Sequence, residues 1–189
     1  MKIRINRYIK YSYVNGPGKR FVVWLQGCEK ECPGCFSTDT WNKNGGYEIE
    51  INDLIDKIPN DVEGIAITGG EPLLQIEALK RFLFNFNVRE PKKSIVLFSG
   101  FTYNEVRSAD SHILEYIDLL IAGPYDQNDT KDSYKKWKGS NNQTLHYFSN
   151  KIDYNILNET PYEIHIAADG QSKLMTGFPD EAAIKKFKE

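Results

Sequence analysis

Cysteine is scarce in this 189-residue chain: there are three, and all lie between positions 28 and 35. An odd, clustered set is not a disulfide framework. Histidine is equally scarce, and His112, His146 and His165 are all far from the cysteines in sequence, so a tetrahedral zinc site would need a remote fourth ligand. Long apolar runs are absent. None approaches the roughly 20 residues of a bilayer-spanning helix, which argues against a helical membrane protein. The opening MKIRINRYIKYSYVNG has no apolar stretch of the kind a secretory signal requires. The expected location is therefore the cytoplasm, where thiols stay reduced. Net charge is also small: 24 basic against 26 acidic side chains gives −2, which argues against a protein built to coat nucleic acid. There is no internal repeat and no low-complexity tract.

The composition is that of an ordinary globular protein, with 40% hydrophobic and 26% charged residues. The length suits one domain over residues 1–189, large enough to bury a core without cross-links. Four short apolar runs end in small turn residues: Phe21–Leu25, Ile65–Thr68, Ile95–Phe98 and Leu119–Ala122. Continuous apolar runs of this length predict strands covered on both faces, as in a parallel sheet. Helical periodicity lies between them. Ile51, Leu54, Ile55 and Ile58 share one face, Leu73–Phe86 reads as a longer amphipathic helix, and Ser111 is placed to cap a short helix through Tyr116. Alternating strand and helix predicts repeated βα units. Ile3–Tyr13 alternates and reads as an edge strand, and Glu163–Ala167 followed by Asp169-Gly170 reads as a hairpin. Asp126–Ser133 is wholly polar and reads as an exposed loop.

The cysteines fall in Gln26-Gly27-Cys28-Glu29-Lys30-Glu31-Cys32-Pro33-Gly34-Cys35-Phe36, a C-x3-C-x2-C spacing directly after the first buried strand. Gly27, Pro33 and Gly34 supply the turning that lets such a loop wrap around an inorganic core. Three thiolates on a four-iron cubane leave one iron without a protein ligand, whereas an electron-carrying cluster would normally have four. A structural zinc site and three inert buried thiols are the bland alternatives. The second buried strand ends in Thr68-Gly69-Gly70-Glu71-Pro72. Two glycines allow close approach of a ligand to the backbone, Glu71 offers a carboxylate to a cation, and Pro72 suits the first turn of a helix. A plain strand-to-helix turn is the bland reading of this motif. Ser99, at the end of the third strand, is a cofactor-contact or capping hydroxyl, and Asp118 reads as an ordinary solvated or capping residue.

C-x3-C-x2-C after the first strand resembles the radical S-adenosylmethionine superfamily. The likeness extends to the activating enzymes of anaerobic (class III) ribonucleotide reductase. It rests on Asn15-Gly16-Pro17-Gly18-Lys19-Arg20, WLQGC, CPGCF, Thr40-Trp41, Ser99-Gly100-Phe101-Thr102-Tyr103, Asp118–Pro124, Lys138–Gln143, Asp169-Gly170 and Met175–Pro179. The resemblance implies a 4Fe–4S cluster held by Cys28, Cys32 and Cys35, with the open iron taking the amino and carboxylate groups of S-adenosylmethionine. It implies cofactor contacts from Gly34, Phe36, Gly69, Gly70, Glu71 and Ser99. It further implies a glycyl-radical enzyme as partner, an anaerobic ribonucleotide reductase first of all, and a flavodoxin-like electron donor. Lys138 departs from the family's arginine, keeping charge but losing bidentate geometry.

The implied fold is an α/β partial, open β/α barrel, since 189 residues fall short of the about 250 of an eight-unit barrel. Such a barrel suits a macromolecular substrate that supplies the missing wall, and no residue need act as general acid or base because the cofactor carries the chemistry. A radical enzyme acting on a peptide or small metabolite, and a non-catalytic Fe–S or zinc protein, are the competing readings. Lys135-Lys136-Trp137-Lys138 has the make-up of a nucleic-acid contact, but in a slightly acidic chain it reads better as a solvated face or a protein contact. His146 and His165 read as structural histidines.

Overall fold

The computed structural model describes residues 1–153, 164–168, 173–179 and 181–188. In chain order its strands are β1 (Lys2–Ser12), β2 (Arg20–Leu25), β3 (Tyr47–Glu50), β4 (Gly64–Gly69), β5 (Ser94–Ser99), β6 (Leu119–Ala122), β7 (Thr144–Tyr147), β8 (Ile164–Ala168) and β9 (Lys173–Gly177). The α-helices are α1 (Ile51–Ile55), α2 (Ile76–Arg89), α3 (Tyr103–Ala109) and α4 (Glu181–Lys188). The first seven strands form one sheet in the order β3-β1-β2-β4-β5-β6-β7. The four apolar runs are its parallel centre, β2-β4-β5-β6, and the outer strands are antiparallel.

Both faces of the centre are buried, as the unbroken apolar runs require. Alternate residues of β2 divide between two layers. Phe21, Val23 and Leu25 pack with Leu79, Phe82, Leu83 and Phe86 of α2, while Val22 and Trp24 pack with Ala66, Val96, Leu119, Ile121, Trp137 and Ile152. The buried residues of α1, α2 and α3 all belong to the first layer. Three helices therefore cover one face. The parallel strands β4, β5 and β6 follow one another side by side, with α2 and α3 as crossovers. Burial of Phe82 or Phe86 contributes about 1.5–3 kcal/mol each, which is what pins α2 to the sheet. The result is a mixed α/β fold with a central, mostly parallel sheet.

Several sequence expectations are corrected. Ile3–Tyr13 is a strand, but not an edge: β1 is covered by β3, from Lys2 opposite Glu50 to Ile5 opposite Tyr47. The sheet's ends are β3 and β7. The helix expected over Leu73–Phe86 is split, because the Glu71 side chain accepts the Leu73 N–H and holds Pro72–Gln75 as a 3-10 turn before α2 begins. Asp110, not Ser111, caps the Ser111–Glu115 turn, accepting the His112 N–H at 2.9 Å. Asp118 is not solvated. It is 3% exposed, accepts the Ile95 N–H at 2.7 Å and the Ser149 hydroxyl, and so ties the start of β5 to the start of β6.

The expected C-terminal hairpin is present as antiparallel β8 and β9, while Glu163 and the Asp169-Gly170 turn lie outside the described residues. Thr176 of β9 donates its hydroxyl to Asn15 at 3.1 Å, which fastens the hairpin to the loop before β2. No helix among the described residues is long and apolar enough to cross a membrane.

Candidate cluster and cofactor site

The carboxyl ends of all four parallel strands deliver loops to one cavity. β2 runs into Cys28, β4 into Gly69-Gly70-Glu71, β5 into Ser99-Gly100, and β6 leads to Tyr125. This is the end of a parallel sheet where ligands commonly bind. The cavity has a volume of about 200 Å³. Cys28, Cys32 and Cys35 line it together, as free thiols.

The cysteine loop is held at both ends. The Gly27 N–H donates to the Thr40 carbonyl at 2.7 Å and the Cys28 N–H to the Trp41 carbonyl at 3.0 Å. Gln26 spans the same gap, donating to the carbonyls of Asp39 and Asn42. The glycine pair then bolts the second strand to the first: the Gly70 N–H donates to Leu25 and the Glu71 N–H to Gly27, at 2.9 and 2.8 Å. A Cβ at Gly70 would stand 2.2 Å from the Gly27 carbonyl oxygen, and Gly69 has φ +107 with Leu25 backbone 2.5 Å from where a Cβ would sit. Neither position admits a side chain.

Glu71 is 1% exposed, and its carboxylate is a clasp. Oε1 accepts the Leu73 N–H at 3.1 Å and the Ser99 hydroxyl at 2.9 Å, while Oε2 accepts the Gly100 N–H at 2.8 Å. Of about four lone-pair positions, three are taken, leaving room for one further donor. Burial pushes its pKa up, against the three hydrogen bonds and the nearby Lys30, which pull it down. Ser99 uses its hydroxyl twice, donating to Glu71 and accepting the Phe101 N–H at 3.1 Å.

Burial also pushes the Cys28 and Cys35 thiols up. The backbone amides of Lys30 and Glu31 act in the opposite sense on Cys28, and the Ser37 amide and Trp41 side chain do so on Cys35. N–H donors aimed at sulfur are the surroundings that stabilise thiolate on a metal cluster. Among the described residues no three Cys, His, Asp or Glu groups converge on a single ion position. A cubane cluster does not ask for that, because each thiolate binds a different iron. Three thiols spread around one cavity, with amides directed at two of them, fit a multi-iron group.

Of the sequence-predicted cofactor residues, Phe36, Gly69, Gly70, Glu71 and Ser99 line this cavity together with the cysteines. Gly34 does not. It lies on a second, larger cavity of about 530 Å³, against the Gln127 side chain. Phe36, Tyr125 and Gly139 border both cavities, so the two adjoin. Phe36 is 37% exposed there and is not a core aromatic.

Sequence reasoning gave no role to Lys30, Trp41, Tyr125 or Gln143, all of which line the cysteine cavity. Gln143 donates to Gly123 and accepts the Gly139 N–H, both at 2.8 Å, bracing the Lys138–Gln143 loop against the end of β6. The signal was in the sequence, since Gln143 closes the motif that begins at Lys138. Lys138 itself donates to the Asn141 carbonyl at 2.8 Å. Trp137 is 2% exposed within the second core layer and cannot stack on a base.

A family model described as "4Fe-4S single cluster domain" matches residues 14–146. The anaerobic ribonucleoside-triphosphate reductase-activating protein of Salmonella typhimurium is 32% identical over 153 residues, covering 77% of this chain and 99% of the relative. Its counterpart in Escherichia coli K12 is 31% identical, covering 75% and 97%. That of enterobacteria phage T4 is 33% identical, covering 74% and 91%. Among solved structures, the crystal structure of QueE from Escherichia coli aligns over 54% of each chain with 20% identity and a TM-score of 0.38, too slight a likeness to bear on the site. The family-model match contains both the cysteine loop and the Gly-Gly-Glu turn, and the relatives, at 31–33% identity, are matched over almost their whole length; on that ground this chain belongs to the family of anaerobic ribonucleoside-triphosphate reductase-activating proteins.

Proposed function

We propose that this protein is a radical S-adenosylmethionine activase that installs a glycyl radical on an anaerobic ribonucleotide reductase. The observation that carries the reading is the meeting of three cysteines and a Gly-Gly-Glu turn with a buried glutamate in one cavity at the carboxyl ends of adjacent parallel strands. Cys28, Cys32 and Cys35 would hold the 4Fe–4S cluster. Gly69, Gly70 and Glu71 would meet the methionine end of S-adenosylmethionine, and Phe36 the adenine. When bound, the two groups would supply one-electron cleavage of the sulfonium, the chemistry through which a hydrogen could be taken from a glycine Cα of the partner. The electron would come from a flavodoxin-like donor.

The chain's own residues position and shield. Glu71, through Ser99 and Gly100, locks the ends of β4 and β5 at a fixed separation. The left-handed turn at Gly69 lets the backbone itself form the cavity wall. The adjoining cavity suits the partner. Among the described residues no charged side chain lines it, and it offers amides and hydroxyls from Gln127, Asn128, Thr130 and Tyr134 beside Phe178. A neutral stretch of polypeptide matches that lining better than a nucleotide does.

Helices on one face and strands laid down in sequence support the finer reading of an open β/α barrel, and the Thr176–Asn15 bond supports one domain over 1–189. Three cysteines outside any disulfide, and the cluster they would hold, suit a reducing cytoplasm. Net charge of −2 and a buried Trp137 favour a protein partner over nucleic acid. The test is isotopic. A reductase carrying glycine deuterated at Cα should pass deuterium into 5′-deoxyadenosine, read by mass spectrometry. Deuterium-free product from an active mixture would show that hydrogen is taken elsewhere.

A further inference from the structure

The cysteine cavity holds one cation, Lys30, that feels the Glu71 and Glu105 carboxylates only at a distance and makes no direct ion pair among the described residues. Lys30 lies between Cys28 and Cys32 in the loop, and it lines the cavity half-buried. Its ammonium stands 3.8 Å from the centre of the Phe101 ring. Among the described residues it has no ion-pair partner. Among the described residues the only carboxylate lining the same cavity is Glu71, and three donors already occupy it.

The turn after β5 is shaped for this lysine. The Lys30 Cδ lies 2.6 Å from where a Cβ at Gly100 would stand, so the lysine stem fills the space that a side chain there would take. Gly100 is not in the left-handed region, so its missing side chain serves space and not torsion. Phe101 is set by the Ser99 hydroxyl, which accepts its N–H. An aromatic face satisfies part of an ammonium's field but leaves its N–H donors free. Lys30 and Glu71 thus present a cation and an anion on one wall, the reverse of the ammonium and carboxylate of an α-amino acid head group.

Resting on the functional reading above, we infer that Lys30 is a cofactor-binding residue that receives the carboxylate of the S-adenosylmethionine head group. A charge-assisted bond of this kind accounts for roughly a ten- to hundredfold change in affinity.

The test is a binding cycle on anaerobically reconstituted protein, read by equilibrium dialysis. The ligands are S-adenosylmethionine and its decarboxylated analogue, which keeps the ammonium and sulfonium. Lys30→Met should weaken S-adenosylmethionine binding roughly ten- to hundredfold and leave the analogue's affinity unchanged. Lys30→Arg should retain most of the affinity. Iron content and unfolding temperature equal to the parent's show that Lys30→Met holds its loop. An equal loss for both ligands would mean that Lys30 only shapes the loop, and no loss for either would mean that it does not touch the cofactor. Both results overturn the inference alone. A parent protein that binds iron but not S-adenosylmethionine overturns the functional reading with it.

Discussion

Replacing Glu71 by alanine removes three hydrogen bonds at once and leaves the half-buried Gly100 N–H without its acceptor. The lost cap on the Pro72–Gln75 turn costs about 1 kcal/mol, and the orphaned amide about 1–3 kcal/mol. Ser99 adds little, because its hydroxyl can rotate. Against this, alanine relieves the burial penalty that raises the Glu71 pKa. The net loss therefore belongs near the lower end, at about 2 kcal/mol, or roughly 4–8 °C in unfolding temperature for a chain of this size.

The pH dependence has a definite sign. Because the folded-state pKa lies above the ordinary 4.5, the glutamate's contribution is fullest below pH 4.5 and declines as pH rises through the folded value. The gap between parent and Glu71→Ala should narrow in that direction. Thermal unfolding of the cluster-free proteins, followed by circular dichroism at several pH values, measures both. An unchanged unfolding temperature, or a gap that widens with pH, would refute the clasp.

Serine at Cys28, Cys32 or Cys35 should each lower bound iron and abolish S-adenosylmethionine cleavage; a fully loaded single variant would remove that cysteine from the ligand set. Asp118→Ala orphans the Ile95 amide and should cost about 1–3 kcal/mol, seen as a lower urea midpoint with the slope unchanged. An unaltered midpoint would mean that the tie between β5 and β6 is not structural. Gln127→Glu with Asn128→Asp puts two carboxylates into the adjoining cavity and should raise the reductase concentration needed for half-maximal activation at least tenfold, with S-adenosylmethionine affinity untouched. Equal activation curves would place the partner elsewhere.

The centre of the fold was legible because its four strands are buried on both faces and leave unbroken apolar runs. The antiparallel flanks were not. β3 and β7 are four residues each and only partly buried, so they carry no such run, and β1 looked like an edge because nothing in Tyr47–Glu50 announces the strand that covers it. α3 was missed although Thr102 and Glu105 form a capping box, since Val106 is its only buried residue. In the site, local spacing brought out the cysteines and the Gly-Gly-Glu turn. The clasp of Glu71 on Ser99 and Gly100 joins residues far apart in sequence, and neither hydroxyl nor amide signals its partner. Lys30 was hidden for the same reason. Only the approach of Gly100 and Phe101 distinguishes it from any solvated lysine.

Electron paramagnetic resonance of the complete anaerobic mixture tests the central claim most directly. Reduced, cluster-loaded protein, S-adenosylmethionine and the anaerobic ribonucleotide reductase of the same source should give an organic radical doublet from one Cα hydrogen. The doublet should grow in step with 5′-deoxyadenosine and collapse when the reductase glycine carries deuterium. Release of 5′-deoxyadenosine with no such doublet on the reductase would contradict the account.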